Sequence, residues 1–194
     1  MSHIQNFYDE NVQNEWERLG VRHRTEFAVT LRALREFLPP APARVIDIGG
    51  GPGRYALALT ESGYSVTLLD LSEQNLAFAR EKARETGLRL EGVFHKNALD
   101  LSDFAPESFE AALLMGPLYH LWQESERLQA LREARRLLKP GGVIFAAFIS
   151  RFAPFQDAAS HGFDWAVTEP DTNEKLLMTG INVGNEDGFT DAYF

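Results

Sequence analysis

The sequence predicts an α/β domain built on a doubly wound, mostly parallel sheet with helices on both faces. Three observations predict it. Short β-branched apolar runs alternate with amphipathic segments of helix length. The first of those runs ends in a glycine-rich turn that leads straight into helix-forming residues. The 194 residues, 44% hydrophobic and 24% charged, are enough for one such domain with a proper core.

The elements follow in order. Residues 1–8 are polar, with the isolated aromatics Phe7 and Tyr8. Val12, Trp16 and Leu19 lie at helical spacing, so 9–19 reads as an amphipathic helix that Gly20 should end. A second helix covers 24–38, with Phe27, Leu31, Leu34 and Phe37 on one stripe and Pro39 and Pro40 as its stop. The run 45–48 is a buried parallel strand by its β-branched content, and Asp47 carries a carboxylate near its end, where an apolar core has no use for one. Gly49, Gly50, Gly51 and Gly53, with Pro52 among them, allow a sharp turn and let a ligand lie against bare amides.

A crossover helix over 54–61 leads to a second strand, 64–69, closed by Asp70 and followed by Leu71. Ser72 offers the capping oxygen for a helix over 73–86, which Gly87 stops. A third strand over 88–95 delivers Asn97 and Ala98, and a fourth over 109–115 ends at Met115 and runs into Gly116, Pro117, Leu118, Tyr119 and His120. A helix over 123–138, with Leu128, Leu131, Ala134 and Leu138 inward, turns through Lys139-Pro-Gly-Gly into a fifth strand over 143–149. Beyond 150 the pattern loosens: Phe152, Phe155, His161, Phe163 and Trp165 stud the chain, and 175–183 reads as a strand.

The glycine turn is not the dinucleotide fingerprint G-x-G-x-x-G, because Arg54 stands at its sixth position. The pattern is D-x-G-x-G-x-G on Asp47, Gly49, Gly51 and Gly53, with a second carboxylate, Asp70, about 20 residues further on and placed to accept from ribose hydroxyls. With the Leu-Lys-Pro-Gly-Gly turn before the fifth strand, this resembles the class I S-adenosylmethionine-dependent methyltransferases, over about residues 8–149. The resemblance implies a Rossmann-like fold, S-adenosylmethionine as cofactor, and in-line attack of an acceptor on its sulfonium methyl.

It also implies roles. Asp47, Gly49, Gly51 and Gly53 would approach the methionine and ribose parts, Asp70 hold the ribose hydroxyls with Leu71 beside it, Asn97 and Ala98 border the adenine, the backbone of Met115 or Gly116 line the methionine side, and Tyr8 face the ligand from the leading helix. In place of Asn97 the family often carries an acid, and Asp100 lies nearby as a substitute. Tyr119 would orient the acceptor and His120 act as base, since an ordinary histidine titrates near neutrality; a His120 that hydrogen-bonds backbone at a loop corner is an equal expectation. His161 is a weaker candidate. A leading helix that folds over the cofactor would bring Trp16 and Arg18 towards the ligand too, although for each residue taken singly packing on the sheet, as for Trp16 and Phe27, is the favoured reading. On this reading the chain is one domain over 1–194: a helical cap over 1–40, a cofactor core over 43–149, and an incomplete acceptor-side cover over 150–194. The C-terminal strands of the usual seven-stranded sheet would be missing, leaving an exposed edge.

Composition narrows the partners. With 28 acidic against 19 basic residues the formal charge is −9, which opposes nucleic acid, and after the fourth strand there is no Asn/Asp-Pro-Pro-Tyr motif of base or amide methylation. A small-molecule acceptor is therefore expected. No cysteine is present and the five histidines are dispersed, so neither a disulfide framework nor a metal site is expected. No apolar run reaches membrane-spanning length, and a cytoplasmic protein with no membrane partner is the expectation. Three alternatives stay open: a cofactor-binding module without catalysis, an NAD(P)-dependent oxidoreductase, and, on poor grounds, a metal enzyme.

Overall fold

The computed structural model describes residues 3–161, 170–182 and 192–193. Five strands form its central sheet: β1 (Arg44–Ile48), β2 (Ser65–Asp70), β3 (Gly92–His95), β4 (Phe109–Leu114) and β5 (Leu138–Ala146). They lie in the order β3-β2-β1-β4-β5, and every pair is parallel. The chain winds outward from β1 to β3, then returns to place β4 on the other side of β1. That reversal opens a crevice beyond the strands' C-terminal ends.

Side chains alternate between two buried faces. Val45, Val66, Leu68 and Leu113 pack with α3 (Arg24–Phe37), α4 (Arg54–Glu61) and α5 (Glu73–Thr86) through Leu34, Leu59 and Leu76. Ile46, Ile48, Leu69 and Leu114 face the other way, onto α6 (Glu124–Leu137). Strands covered on both faces need apolar residues at every position, hence the unbroken runs in the sequence. On α6 the buried stripe is Ala130, Ala134 and Leu137; Leu128 is exposed, so the helix is turned by a fraction of a turn from the expected stripe.

The ends of the chain differ from expectation. Ahead of α3 there are two short helices, α1 (His3–Glu10) and α2 (Val12–Glu17), followed by a π-helical turn over Arg18–Arg22. Asn11 interrupts them: its Nδ2 donates to the Phe7 carbonyl at 2.9 Å and its Oδ1 accepts from Asn14 at 3.2 Å, a side-chain alternative to the helical ladder. Gly20 does not end a helix. A Cβ there would fall 1.8 Å from Nη2 of Arg54, so the glycine makes room for a side chain.

The expected strand over 175–183 is mostly helix. After α7 (Ala153–His161), α8 (Pro170–Thr179) takes up its first part, burying Asn173 and Leu176 while leaving Met178 exposed, an amphipathic arrangement no strand would give. Gly180 N closes that helix onto the Leu176 carbonyl at 2.8 Å. Only β6 (Ile181–Asn182) is extended, pairing antiparallel with β7 (Ala192–Tyr193) apart from the main sheet. Strand β3 is shorter than expected, and β5 has no outer neighbour among the described residues. No helix of the described residues is long and apolar enough to cross a membrane.

Candidate active site

Three strand ends build the site. At the end of β1, Gly49 has φ +69°, and a Cβ on it would lie 2.5 Å from Pro117 Cγ. A Cβ on Gly116 would in turn lie 2.6 Å from the Gly49 carbonyl oxygen. The turns after β1 and β4 therefore touch at a place where only glycine fits. The end of β2 joins them through Asp70: Oδ2 accepts from Gly51 N at 2.8 Å, and Oδ1 accepts from Ser72 N at 2.8 Å and Asn75 Nδ2 at 3.3 Å. The glycine turn and the second carboxylate face each other.

A cavity of about 170 Å³ lies over this junction. Asp47, Gly49, Gly51 and Asp70 line it, with Leu71, Asn97 and Ala98 from the turns after β2 and β3, Met115, Tyr119 and His120 from the turn after β4, and Tyr8 from α1. Gly53 is not among the residues that line the cavity, and a Cβ on it would meet that of Ala79 in α5 at 3.1 Å. The Asn97 side-chain oxygen, expected to face a ligand, accepts from Leu99 N at 3.0 Å in a local turn. Asp100 lies outside the cavity and holds Ser102.

Trp16 packs on Phe78 with ring centroids 5.4 Å apart and does not line the cavity; Arg18 does. Phe152 is exposed and does not line it either, whereas Phe163, Trp165 and the His161 side chain lie outside the described residues. Sequence reasoning gave no role to Glu15, Arg54 or Asn75, all on the cavity wall. The Arg54 guanidinium lies 4.1 Å from the Trp16 ring and 5.5 Å from that of Phe27, tying the N-terminal helices to the start of α4.

The electrostatics suit a cationic ligand. Burial, and secondarily the charge of Asp70, pushes the Asp47 carboxyl up to about 7. Its Oδ2 is buried with no hydrogen-bond partner, an arrangement that costs stability until a donor arrives. Burial also raises Asp70, opposed by its bonds from Ser72, Gly51 and Asn75. Burial holds the Tyr119 phenol up at about 12 and pushes Tyr8 well above its ordinary value, so both remain donors at neutral pH. The Tyr8 hydroxyl and His120 Nε2 are 2.8 Å apart. Among the described residues no cluster of His, Asp and Glu is placed to hold a metal ion.

A family model described as a methyltransferase domain matches residues 45–142, half of the chain. A ubiquinone biosynthesis O-methyltransferase of Aliivibrio fischeri (strain MJ11) is 32% identical over 108 residues, 56% of this chain and 44% of that protein. A glycine/sarcosine N-methyltransferase of Aphanothece halophytica is 29% identical over 146 residues, 73% of this chain and 54% of its own. Among solved structures, a SAM-dependent methyltransferase from Methanosarcina mazei is similar at a TM-score of 0.65 and 23% identity, over 83% of this chain and 76% of that one, a likeness of fold. The chain spans about half the length of the curated relatives it matches.

Proposed function

The chain belongs to the methyltransferase domain family, whose methyl donor is S-adenosylmethionine, and from that premise we propose that it transfers the methyl to a small-molecule acceptor by in-line attack. The observation that carries the proposal is the buried, partnerless oxygen of Asp47 beside a turn of glycines that is bonded to Asp70. An α-ammonium and a pair of ribose hydroxyls are the donors this arrangement lacks. The bound donor supplies an electrophilic sulfonium methyl. The chain supplies the rest: Asp47 receives the ammonium, the lone pairs left on Asp70 take the ribose, and Leu71 and Ala98 flank the adenine with Asn97 at its rim.

At the other end Tyr119 orients the acceptor and His120 receives its proton, while α1 and α2 keep water out. The relatives' names include both an oxygen and a nitrogen methyltransferase, so methyl chemistry is what carries over and the acceptor is a matter for this chain's own wall. That wall is aromatic and apolar around Tyr8, Leu19, Tyr119 and Leu121, and the molecule's formal charge is −9. Both favour a small organic acceptor over nucleic acid. On this reading residues 1–194 act as one domain, with 1–40 as cap and 43–149 as core.

Calorimetry with S-adenosylmethionine, beside NAD as control, tests the reading. Asp70→Ala should weaken binding by about 1–3 kcal/mol, the cost of stranding polar partners. His120→Ala should keep that affinity and lower methylation of a metabolite extract by on the order of 10²–10⁴. Binding of NAD but not of S-adenosylmethionine would overturn it.

A further inference from the structure

We propose that Tyr8 is a catalytic residue standing between the acceptor and His120, that it hands the acceptor's proton to His120 Nε2, and that the acceptor therefore attacks through a hydroxyl. The inference rests on the methyltransferase reading and deepens it. Tyr8 comes from α1 and His120 from the turn after β4, 112 residues away, yet the phenol oxygen lies 2.8 Å from Nε2 and both line the cavity. The His120 ring is held edge-on between two tyrosines, with centroids 5.5 Å from Tyr8 and 4.7 Å from Tyr119.

The direction of that hydrogen bond decides the chemistry. Burial first, and then the carboxylates Glu15 and Asp70, keep the Tyr8 phenol protonated, with Arg18 as the opposing cation. A phenol that donates to Nε2 requires the lone pair to be on Nε2 and the ring proton on Nδ1. It leaves the oxygen's own lone pairs turned to the cavity, ready to accept an O–H. As the acceptor oxygen attacks the methyl carbon, the C–S electron pair leaves with sulfur, which becomes a neutral thioether. The acceptor's proton passes to the Tyr8 oxygen while the phenol's proton passes to Nε2. The sulfonium's positive charge is thereby replaced by one on imidazolium, and Tyr8 ends as it began.

A two-step relay is useful to a hydroxyl, which must lose its proton as it attacks. A neutral amine attacks through its lone pair and needs no such path before bond formation.

Asp9, the next residue, is the positioning residue for this contact. Its Oδ1 accepts from Ser72 Oγ at 2.6 Å, and Ser72 N donates to Asp70 at 2.8 Å. The group assigned to the ribose thus also fixes the helix that carries Tyr8.

Long-range proton–nitrogen NMR on ligand-free, 15N-histidine-labelled protein tests the relay without turnover, the His120 signals being identified by their loss in His120→Gln. The expected result is a protonated Nδ1 and a bare Nε2, with Nε2 shifting in Tyr8→Phe and the tautomers mixing in Asp9→Ala. A protonated Nε2 in the wild type, or an Nε2 signal unmoved by Tyr8→Phe, overturns the relay. In parallel, Tyr8→Phe should bind S-adenosylmethionine within about threefold of wild type while methylating a metabolite extract on the order of 10² more slowly. The wild-type products should be methyl ethers; N- or S-methyl products, or methyl esters of carboxylates that bring no proton, overturn the hydroxyl assignment. Failure of the wild type to bind S-adenosylmethionine would instead remove the methyltransferase reading and leave the NMR result standing as a separate answer.

Discussion

Replacing Asp47 by asparagine keeps the side chain's shape and removes its charge. In the ligand-free protein the carboxyl is pushed from an ordinary 3.8 to about 7 by burial and then by Asp70. Between those values the folded chain holds a proton that the unfolded chain has released. Stability therefore falls as pH rises from about 4 to about 7 and then levels off, because ν for the unfolded state is the smaller. At about 1.4 kcal/mol per tenfold, the full span amounts to about 4 kcal/mol as an upper bound, and water entry reduces it, so a loss of about 2–4 kcal/mol is expected. The amide that replaces the carboxyl does not titrate. Urea unfolding of both proteins between about pH 4 and pH 8 should show Asp47→Asn gaining on the wild type by that amount. Parallel stability curves would refute the reasoning.

The same residue ties stability to binding. A ligand ammonium beside Asp47 should return the carboxylate to its ionised form and release its proton. At pH 6.5 an acid with pKa about 7 is about three-quarters protonated, so calorimetry in buffers of different ionisation heat should show about 0.7 proton released per S-adenosylmethionine bound. In Asp47→Asn the release should vanish and the affinity fall. Equal release in both proteins would place the titrating group elsewhere.

Two further substitutions test the frame around the site. Gly49→Ala must hold φ +69° and place a methyl 2.5 Å from Pro117 Cγ, so it should cost more than about 2 kcal/mol and more than about tenfold in S-adenosylmethionine affinity; an unchanged urea midpoint argues against the close approach. Arg54→Met keeps the stem and removes a guanidinium from the Trp16 and Phe27 rings, at a cost of about 0.5–2 kcal/mol. Hydrogen exchange should quicken over residues 3–22 and stay unchanged in β1 and β4; uniform quickening would mean that Arg54 serves the whole fold.

The core and the floor of the site were legible because their physics is local. An apolar run over 45–48 is set by the buried strand it forms, the glycines after it by the close turn, and the carboxylate one crossover later by the turn amide it accepts from. The touching turns were half legible: Gly49 and Gly116 both announce close backbone approach, but not that they approach each other. Asn11 reads as an ordinary polar helix residue until its amide finds Phe7. Gly20 reads as a stop, and only the distant Arg54 shows that it is a space. Residues 175–183 misled because Leu176, Leu177 and Met178 suit a strand as well as a helix, and burial of one with exposure of another is a tertiary fact. No spacing rule joins Tyr8 to His120.

These misses share a location: most concern the N-terminal helices and what those helices touch. Neither α1 nor α2 contributes a fully buried side chain among the described residues. Their hold on the core comes instead from directional contacts: Asp9 on Ser72, Tyr8 on His120, and Trp16 with Phe27 around Arg54. Contacts of that kind are worth about 1 kcal/mol each, against several for a buried leucine in the sheet. Local opening of this segment therefore costs less than unfolding the sheet. An enzyme that encloses a reactive methyl needs such a part, because donor and acceptor must enter before water is shut out. On the proposed function, a cap that closes on Asp70 and His120 would make closure and catalytic alignment one event. The exchange measurement on Arg54→Met tests its first premise, that the cap opens apart from the core.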